Sequence, residues 1–139
     1  MPEKKPVRII VDTNIWIGFL IGKSFSGLKD LLVQREVVLV ISNELLEELR
    51  EVTQRPKFQK YFPAQKIDEL FQLLNIIGEN ISVTSEIAIC RDEKDNFLLS
   101  LAKDGEAHYL ITGDEDLLVL KEFENTKIIT YSAFQTLNL

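Results

Sequence analysis

The chain has 139 residues, with 16 basic and 22 acidic side chains, a formal net charge of −6, 45% hydrophobic residues, one cysteine and one histidine. This length and apolar content suit one globular domain over residues 1–139 that buries about two-thirds of its unfolded surface, and no apolar run nears the ~20 residues of a bilayer span. The charge excludes a broad basic footprint for nucleic acid, the lone Cys90 excludes an internal disulfide or a cysteine-rich zinc site, and the lone His108 excludes a histidine acid–base pair.

The N-terminal stretch MPEKKP is charged and lacks the apolar core of a secretion signal, so no membrane association and a cytoplasmic location are expected. Val7 to Val11 (VRIIV) is a β-branched run of the kind covered on both faces of a sheet. Thr13 is placed to cap IWIGFLIG, which ends at Gly22, and Ser26-Gly27 opens LKDLLVQRE as a second helical pattern. Val37 to Ile41 (VVLVI) is a second strand, followed by Ser42 and Asn43 as N-cap candidates for ELLEELREVTQ. Arg55-Pro56 interrupts that helix, KFQKYF follows, and Pro63 opens AQKIDELFQLLNIIG, with apolar residues at helical spacing and a stop at Gly78.

Farther on, Ile81 to Val83 is read as a short third strand, and Glu93 to Asp104 as a helix ended by Gly105. Tyr109 to Thr112 is a fourth strand, Asp114 to Leu120 a turn or short helix, Lys127 to Thr130 a fifth strand, and Ser132 the cap of a last short helix. Strands and helices alternate throughout, which predicts an α/β chain folded as a three-layer α/β/α sandwich around a parallel five-stranded sheet. Ligands of such sheets bind beyond the carboxyl ends of the strands, near the point where strand order reverses.

The acids at those positions carry the chemistry. Asp12 directly follows the first strand, and Asp114 follows the fourth after Gly113. Singly, each is equally well read as a helix N-cap or turn acid. In ELLEELREVTQ the stripe of Leu45, Leu46, Leu49 and Val52 leaves Glu47 nearly opposite its centre and Glu48 on its flank, roughly 90° away. The same wheel over Glu93 to Asp104 brings Asp95 within about 70° of the buried centre and leaves Asp92 farther round. An ionised Asp95 facing inward is costly unless paired or bound to metal; the alternative is a first-turn acid stabilised by the helix dipole.

Four acids from four segments, Asp12, Glu48, Asp95 and Asp114, would raise one another's pKa if they converged. A divalent cation resolves that conflict, and oxygen-only ligands favour Mg²⁺ or Mn²⁺ over zinc. Such ions activate water and stabilise attacking and leaving oxygens in phosphodiester cleavage.

In the order and spacing of IIVDTNIWI, ISNELLEELREVTQRPKF, RDEKDNFLLSLA and YLITGDEDLLVL, the chain resembles the PIN-domain ribonucleases, particularly the compact bacterial toxin–antitoxin (VapC-like) toxin subfamily. The resemblance implies a sheet of order 3-2-1-4-5 and a metal site formed by Asp12, Glu48, Asp95 and Asp114. It also implies that Asn14 of DTN orients Asp12, that Asp116 is an auxiliary ligand or a helix-capping acid, and that Thr112 lines the site or is structural. A Mg²⁺- or Mn²⁺-dependent endoribonuclease follows from it, cutting single-stranded or loop RNA to leave 5′-phosphate and 3′-hydroxyl ends. The same resemblance implies a homodimer with a cognate antitoxin protein in its acidic cleft.

In RPKFQKYF, Arg55, Lys57 and Lys60 interleave with aromatics, a pattern that contacts phosphates and stacks bases or serves as core and dimer contacts with a solvated basic face. Two other classes compete with the nuclease. One is a non-catalytic PIN-like module that binds RNA or protein, which has no need of clustered carboxylates. The other is a phosphotransfer receiver-like domain, which needs a lysine after a late strand, where Lys121 and Lys127 sit less naturally.

Overall fold

The computed structural model describes residues 5–22 and 26–137, so most of the charged stretch MPEKKP lies outside the described residues. Within them the chain forms a six-stranded sheet packed by helices on both faces. The strands are β1 (Val7–Val11), β2 (Val37–Ile41), β3 (Gly78–Asn80), β4 (Tyr109–Ile111), β5 (Glu122–Phe123) and β6 (Thr126–Ile129). The helices are α1 (Thr13–Gly22), α2 (Ser26–Val33), α3 (Asn43–Thr53), α4 (Ala64–Ile77), α5 (Glu93–Asp104), α6 (Glu115–Leu118) and α7 (Tyr131–Gln135).

The order is β3-β2-β1-β4-β6-β5, parallel from β3 through β6, with β5 antiparallel to β6 at the edge. The parallel part follows the expected 3-2-1-4-5 order. The extra strand arises because the short loop between β5 and β6, with Glu124 at φ 52°, is a hairpin, and hairpins join antiparallel neighbours.

Side-chain alternation along the strands builds two cores. Ile9 and Val11 of β1 join Leu39, Ile41 and Ile111 beneath α1, α2, α4 and α7. Ile10, Val40, Leu110 and Ile128 point the other way, beneath α5 and α6. The apolar runs over residues 9–11 of β1 and Val37–Ile41 of β2 are thus the mark of strands covered on both faces.

Local differences from the sequence expectations have identifiable causes. Thr13 is the first residue of α1 rather than its cap, and the Asp12 carbonyl accepts from the Ile15 and Trp16 N–H groups at 3.0 and 3.3 Å. Ser42 caps α3 as expected, its hydroxyl accepting from Leu45 N at 3.1 Å. Thr130, not Ser132, caps α7 by accepting from Ala133 N at 3.1 Å. The third strand is Gly78–Asn80, paired with Leu39 to Ile41, and its ladder ends where Ile81 N donates to Ile41 O at 2.8 Å.

Beyond Ile81 the chain alternates inward and outward like a strand, with Ile81, Val83, Ile87 and the half-buried Cys90 against the second core. Its N–H groups, however, are claimed by side chains of α5. Asp104 accepts from Thr84 N and Ser85 N, Ser100 from Ile87 N, and Asn96 from Ile89 N and Cys90 N. These three polar residues stand four apart, on one face of the helix. They hold residues 84–90 antiparallel to α5 and deliver the chain to its N-cap, Asp92, whose carboxylate accepts from Lys94 N at 2.9 Å.

Gly105 closes α5 for a steric reason rather than a conformational one. Its φ is an ordinary −87°. A Cβ there would stand 2.6 Å from Val40 Cγ1 and 2.9 Å from Leu101 O, so glycine lets the helix end lie directly on β2.

Candidate metal centre

The chain runs outward from β1 to β2 and β3, then crosses back to place β4 on the other side of β1. The reversal therefore lies between β1 and β4, where an open α/β sheet leaves a crevice. Asp12 and Thr112 emerge there side by side, directly after their strands. The Thr112 hydroxyl donates to Asp12 Oδ2 at 2.8 Å and accepts from Asp114 N at 3.0 Å, so one buried threonine spaces two of the acids across the crevice.

Asp12, Glu48, Asp95 and Asp114 line one cleft of about 250 Å³, with Asn14, Thr13, Arg55, Lys57 and Lys94 also on its walls. Asp12 and Asp95 are buried, at 9% and 4% exposure. Glu48 is half-buried on α3, and Glu47 is exposed. Asp95 enters from the first turn of α5. Asp114 caps α6 with one oxygen, Oδ1 accepting from Asp116 N at 2.9 Å. Capping and ligation are therefore compatible here, since a carboxylate has a second oxygen to offer.

Ligand oxygens of Asp95, Asp114 and Asp116 lie within 4.8 Å of one another. Asp116 is exposed, and both of its oxygens face Arg91 Nη2, at 3.3 and 3.2 Å.

The electrostatics of the two buried carboxylates are set by burial and by neighbouring acids. The Asp95 pKa is pushed up to about 7 by burial first, then by the charge of Asp114 and a hydrogen bond shared with its carboxyl, with Asp92 and Asp12 adding to the rise. Burial likewise raises Asp12, and Glu48 and Asp114 raise it further against the lowering effect of the Thr112 hydroxyl. With both carboxylates ionised, the buried Asp95 Oδ2 has no hydrogen-bond donor among the described residues, and Thr13 Oγ1 in the wall of the same cleft has no partner among them. Buried polar atoms without partners are rare and call for a group to complete them. The donor set is all oxygen and anionic, which suits a hard divalent cation such as Mg²⁺ or Mn²⁺, so the residues fit one.

Other expected site residues fall in different places. Among the described residues no hydrogen bond joins Asn14 to Asp12; Thr112 makes the bond that holds Asp12. Arg55 and Lys57 line the cleft, Arg55 pairing with Glu51 at 3.7 Å and Lys57 Nζ lying 5.0 Å from the Phe58 ring centre. Lys60 is not among the lining residues, and its Nζ sits 5.0 Å from the ring centre of Tyr61. Of the aromatics, Phe62 is buried in the first core, Phe58 is half-buried at the cleft, and Tyr61 is exposed.

Three contributors went unassigned from the sequence. Thr13 was read only as a cap. Lys94, whose Nζ lies 3.5 Å from Glu48 Oε1, and Arg91 stand beside the acids inside the run RDEKD. Their signal was the alternation of cations with acids in that run.

Comparison with known proteins bears on the whole arrangement. The PIN domain family model matches residues 8–116, a span from β1 through the α6 turn that includes all five acids. An uncharacterized protein of Methanocaldococcus jannaschii, MJ1680, is 28% identical over 123 residues, covering 86% of this chain and 79% of its own length. The crystal structure of PAE2754 from Pyrobaculum aerophilum shares the fold with a TM-score of 0.64 at 13% identity, over 93% of this chain and 88% of that one.

Proposed function

The chain belongs to the PIN domain family, a nuclease-type fold, and from that premise we propose that it is a divalent-metal-dependent endoribonuclease hydrolysing RNA phosphodiester bonds with Mg²⁺ or Mn²⁺. The observation that carries the proposal is the buried Asp95 carboxylate. With the carboxylates ionised its Oδ2 has no donor among the described residues, and burial and neighbouring acids push its pKa up to about 7. A purely binding surface gains nothing from acids so placed, because each unpaired buried charge costs stability.

In this reading Asp12, Glu48, Asp95 and Asp114 would hold the ion, and Asp116, now paired with Arg91, would serve as an auxiliary ligand. When bound, the ion supplies an activated water and charge stabilisation at the scissile phosphate. The chain's own residues do the rest. Thr112 fixes Asp12 through a 2.8 Å hydrogen bond and sets its spacing from Asp114. Asp95 would hold the ion in its ionised form, which ligation requires.

Hydrolysis adds water at phosphorus and breaks the P–O3′ bond, leaving a 5′-phosphate and a 3′-hydroxyl. Arg55 and Lys57, on the cleft wall, are placed to contact backbone phosphates and offset the acidity of the protein; Lys60 is assigned a more distant contact. The finer parts of the proposal are a cytoplasmic homodimer acting as the toxin of a toxin–antitoxin pair, with an antitoxin protein covering the cleft.

The test is Mn²⁺-dependent cleavage of single-stranded RNA by purified protein. Asp12→Asn and Asp95→Asn are each expected to lower the rate about a hundredfold or more while leaving the fold intact by circular dichroism. If both variants cut as fast as the parent, the nuclease reading fails and the alternative, a non-catalytic RNA- or protein-binding PIN module, takes its place.

A further inference from the structure

We propose that Arg91 and Lys94 are phosphate-binding residues that rest on Asp116 and Glu48 in the metal-free protein and transfer to the RNA backbone when a divalent ion takes over those carboxylates. This rests on the ribonuclease reading above and adds to it the residues that exchange partners as the site fills.

Three observations converge. First, both cations already stand on the acids of the site: Lys94 Nζ lies 3.5 Å from Glu48 Oε1, and Arg91 Nη2 lies 3.2 Å from Asp116 Oδ2. Second, neither is held by anything else among the described residues, and their side chains are 63% and 89% exposed. Ion pairs this exposed are weak, so a divalent charge displaces them and long flexible stems let them swing to a new anion.

Third, their place in the chain opposes local stability. Arg91 immediately precedes the N-cap of α5 and Lys94 lies in its first turn, where the helix dipole disfavours cations. The cost is explained if the cations serve a ligand rather than the helix.

The cleft geometry gives them a substrate to meet. Lys94 on α5 and Arg55 and Lys57, which follow α3, line the same cleft as the acids. A single strand laid across the acids thus meets cations from two segments of the chain. A nucleic-acid backbone needs such local cations, because the chain as a whole carries a net charge of −6 and repels it. Arg91, with its planar fork, suits a bidentate phosphate contact, and Lys94 a point contact.

The experiment uses the full chain with Arg91→Gln, Lys94→Gln and the double variant, and reads two quantities of opposite sign. Mn²⁺ titrated alone by calorimetry is expected to bind each single variant about two- to fivefold tighter, because a competing cation has gone. On single-stranded RNA with saturating Mn²⁺, KM is expected to rise about three- to tenfold with kcat within about twofold. The slope of log kcat/KM against log salt becomes shallower by about 0.7 for each cation removed. Lys94→Arg restores KM.

Variants that bind Mn²⁺ more weakly, or that keep the parent's KM and salt slope while the parent cleaves RNA, overturn the assignment and leave the ribonuclease reading standing. A parent that binds Mn²⁺ but cleaves no RNA overturns both.

Discussion

The two ends of the same parallel sheet treat charge in opposite ways. At the carboxyl end, Asp12, Asp95 and Asp114 crowd a cleft of about 250 Å³, and one of their oxygens, Asp95 Oδ2, has no donor among the described residues. At the amino end a larger hollow, about 590 Å³ and lined by Arg8, Lys103, His108 and Glu124 among others, has its charges largely matched. Arg8 donates to both oxygens of Glu79 at 2.7 and 3.1 Å and through Nε to Gly105 O at 2.8 Å. Its backbone N–H donates to His108 Nδ1 at 2.9 Å, and Lys103 pairs with Glu124 at 3.8 Å.

The Arg8 guanidinium holds the Glu79 carboxyl below its ordinary range, whereas burial and like charge push Asp95 up to about 7. Cavity size and unmet charge therefore point to different hollows in this molecule. The smaller hollow is the one with raised carboxylate pKa values and a buried carboxylate oxygen that has no donor among the described residues, and perturbed ionisation of that kind clusters at functional sites.

The comparison can be broken most forcefully at Thr112. Thr112→Val keeps the shape but removes the donor to Asp12 Oδ2, and it is expected to weaken Mn²⁺ binding about ten- to a hundredfold, measured by calorimetry at pH 7.5. Unchanged affinity would mean that Asp12 needs no orienting bond.

A pH series sharpens the contrast. Asp95 is raised from 3.8 to about 7, so its protonated form favours the folded state. That contribution is fully present below about pH 4 and is lost as pH rises through about 7. Asp12 is shifted in the same direction. Glu79, shifted down, contributes the opposite way, through stability that is lost as pH falls below its usual 4.5; being exposed, it contributes less.

For protein in EDTA, the thermal midpoint is expected to fall between pH 5 and pH 8, and saturating Mn²⁺ at pH 8 to reverse the fall. Asp95→Asn should flatten the profile, stabilising the metal-free protein at pH 8 by on the order of 1–2 kcal/mol. A profile identical to the parent's would show that the acid cleft carries no strain.

The smallest effect is expected at the matched end. Arg8→Met removes a half-exposed pair and one backbone contact, so it should cost about 1 kcal/mol in urea denaturation and leave RNA cleavage within about twofold. A large loss of activity would show that the two ends are not independent.

Much of this fold is legible from local pattern. The runs VRIIV and VVLVI became central strands because β-branched residues buried on both faces leave no alternation to misread. Helical period alone sorts side chains around an axis, and it separated half-buried Glu48 from exposed Glu47 and buried Asp95 from exposed Asp92, although Asp92 also lines the cleft. Where the reading slipped, a partner distant in sequence had intervened. Ile81 to Val83 has the composition of a strand, but the N–H groups that follow it are taken by Asn96, Ser100 and Asp104, and no local pattern announces side chains waiting on a later helix.

While the strand order was implied only by the family resemblance, the sequence by itself determined the alternation of strands and helices and a short list of acids with the geometry to converge. Those are properties of periodicity and of residues directly after strands, and both are local. Only the tertiary structure decided which of the acids lack partners, because that depends on what else reaches them. Asp12 is answered by Thr112, a hundred residues away, Asp116 by Arg91 and Glu48 by Lys94, and Asp95 Oδ2, with the carboxylates ionised, by no donor among the described residues. Burial and pairing are sums over the whole fold, and they turn a list of carboxylates into an acidic cleft that a divalent cation fits.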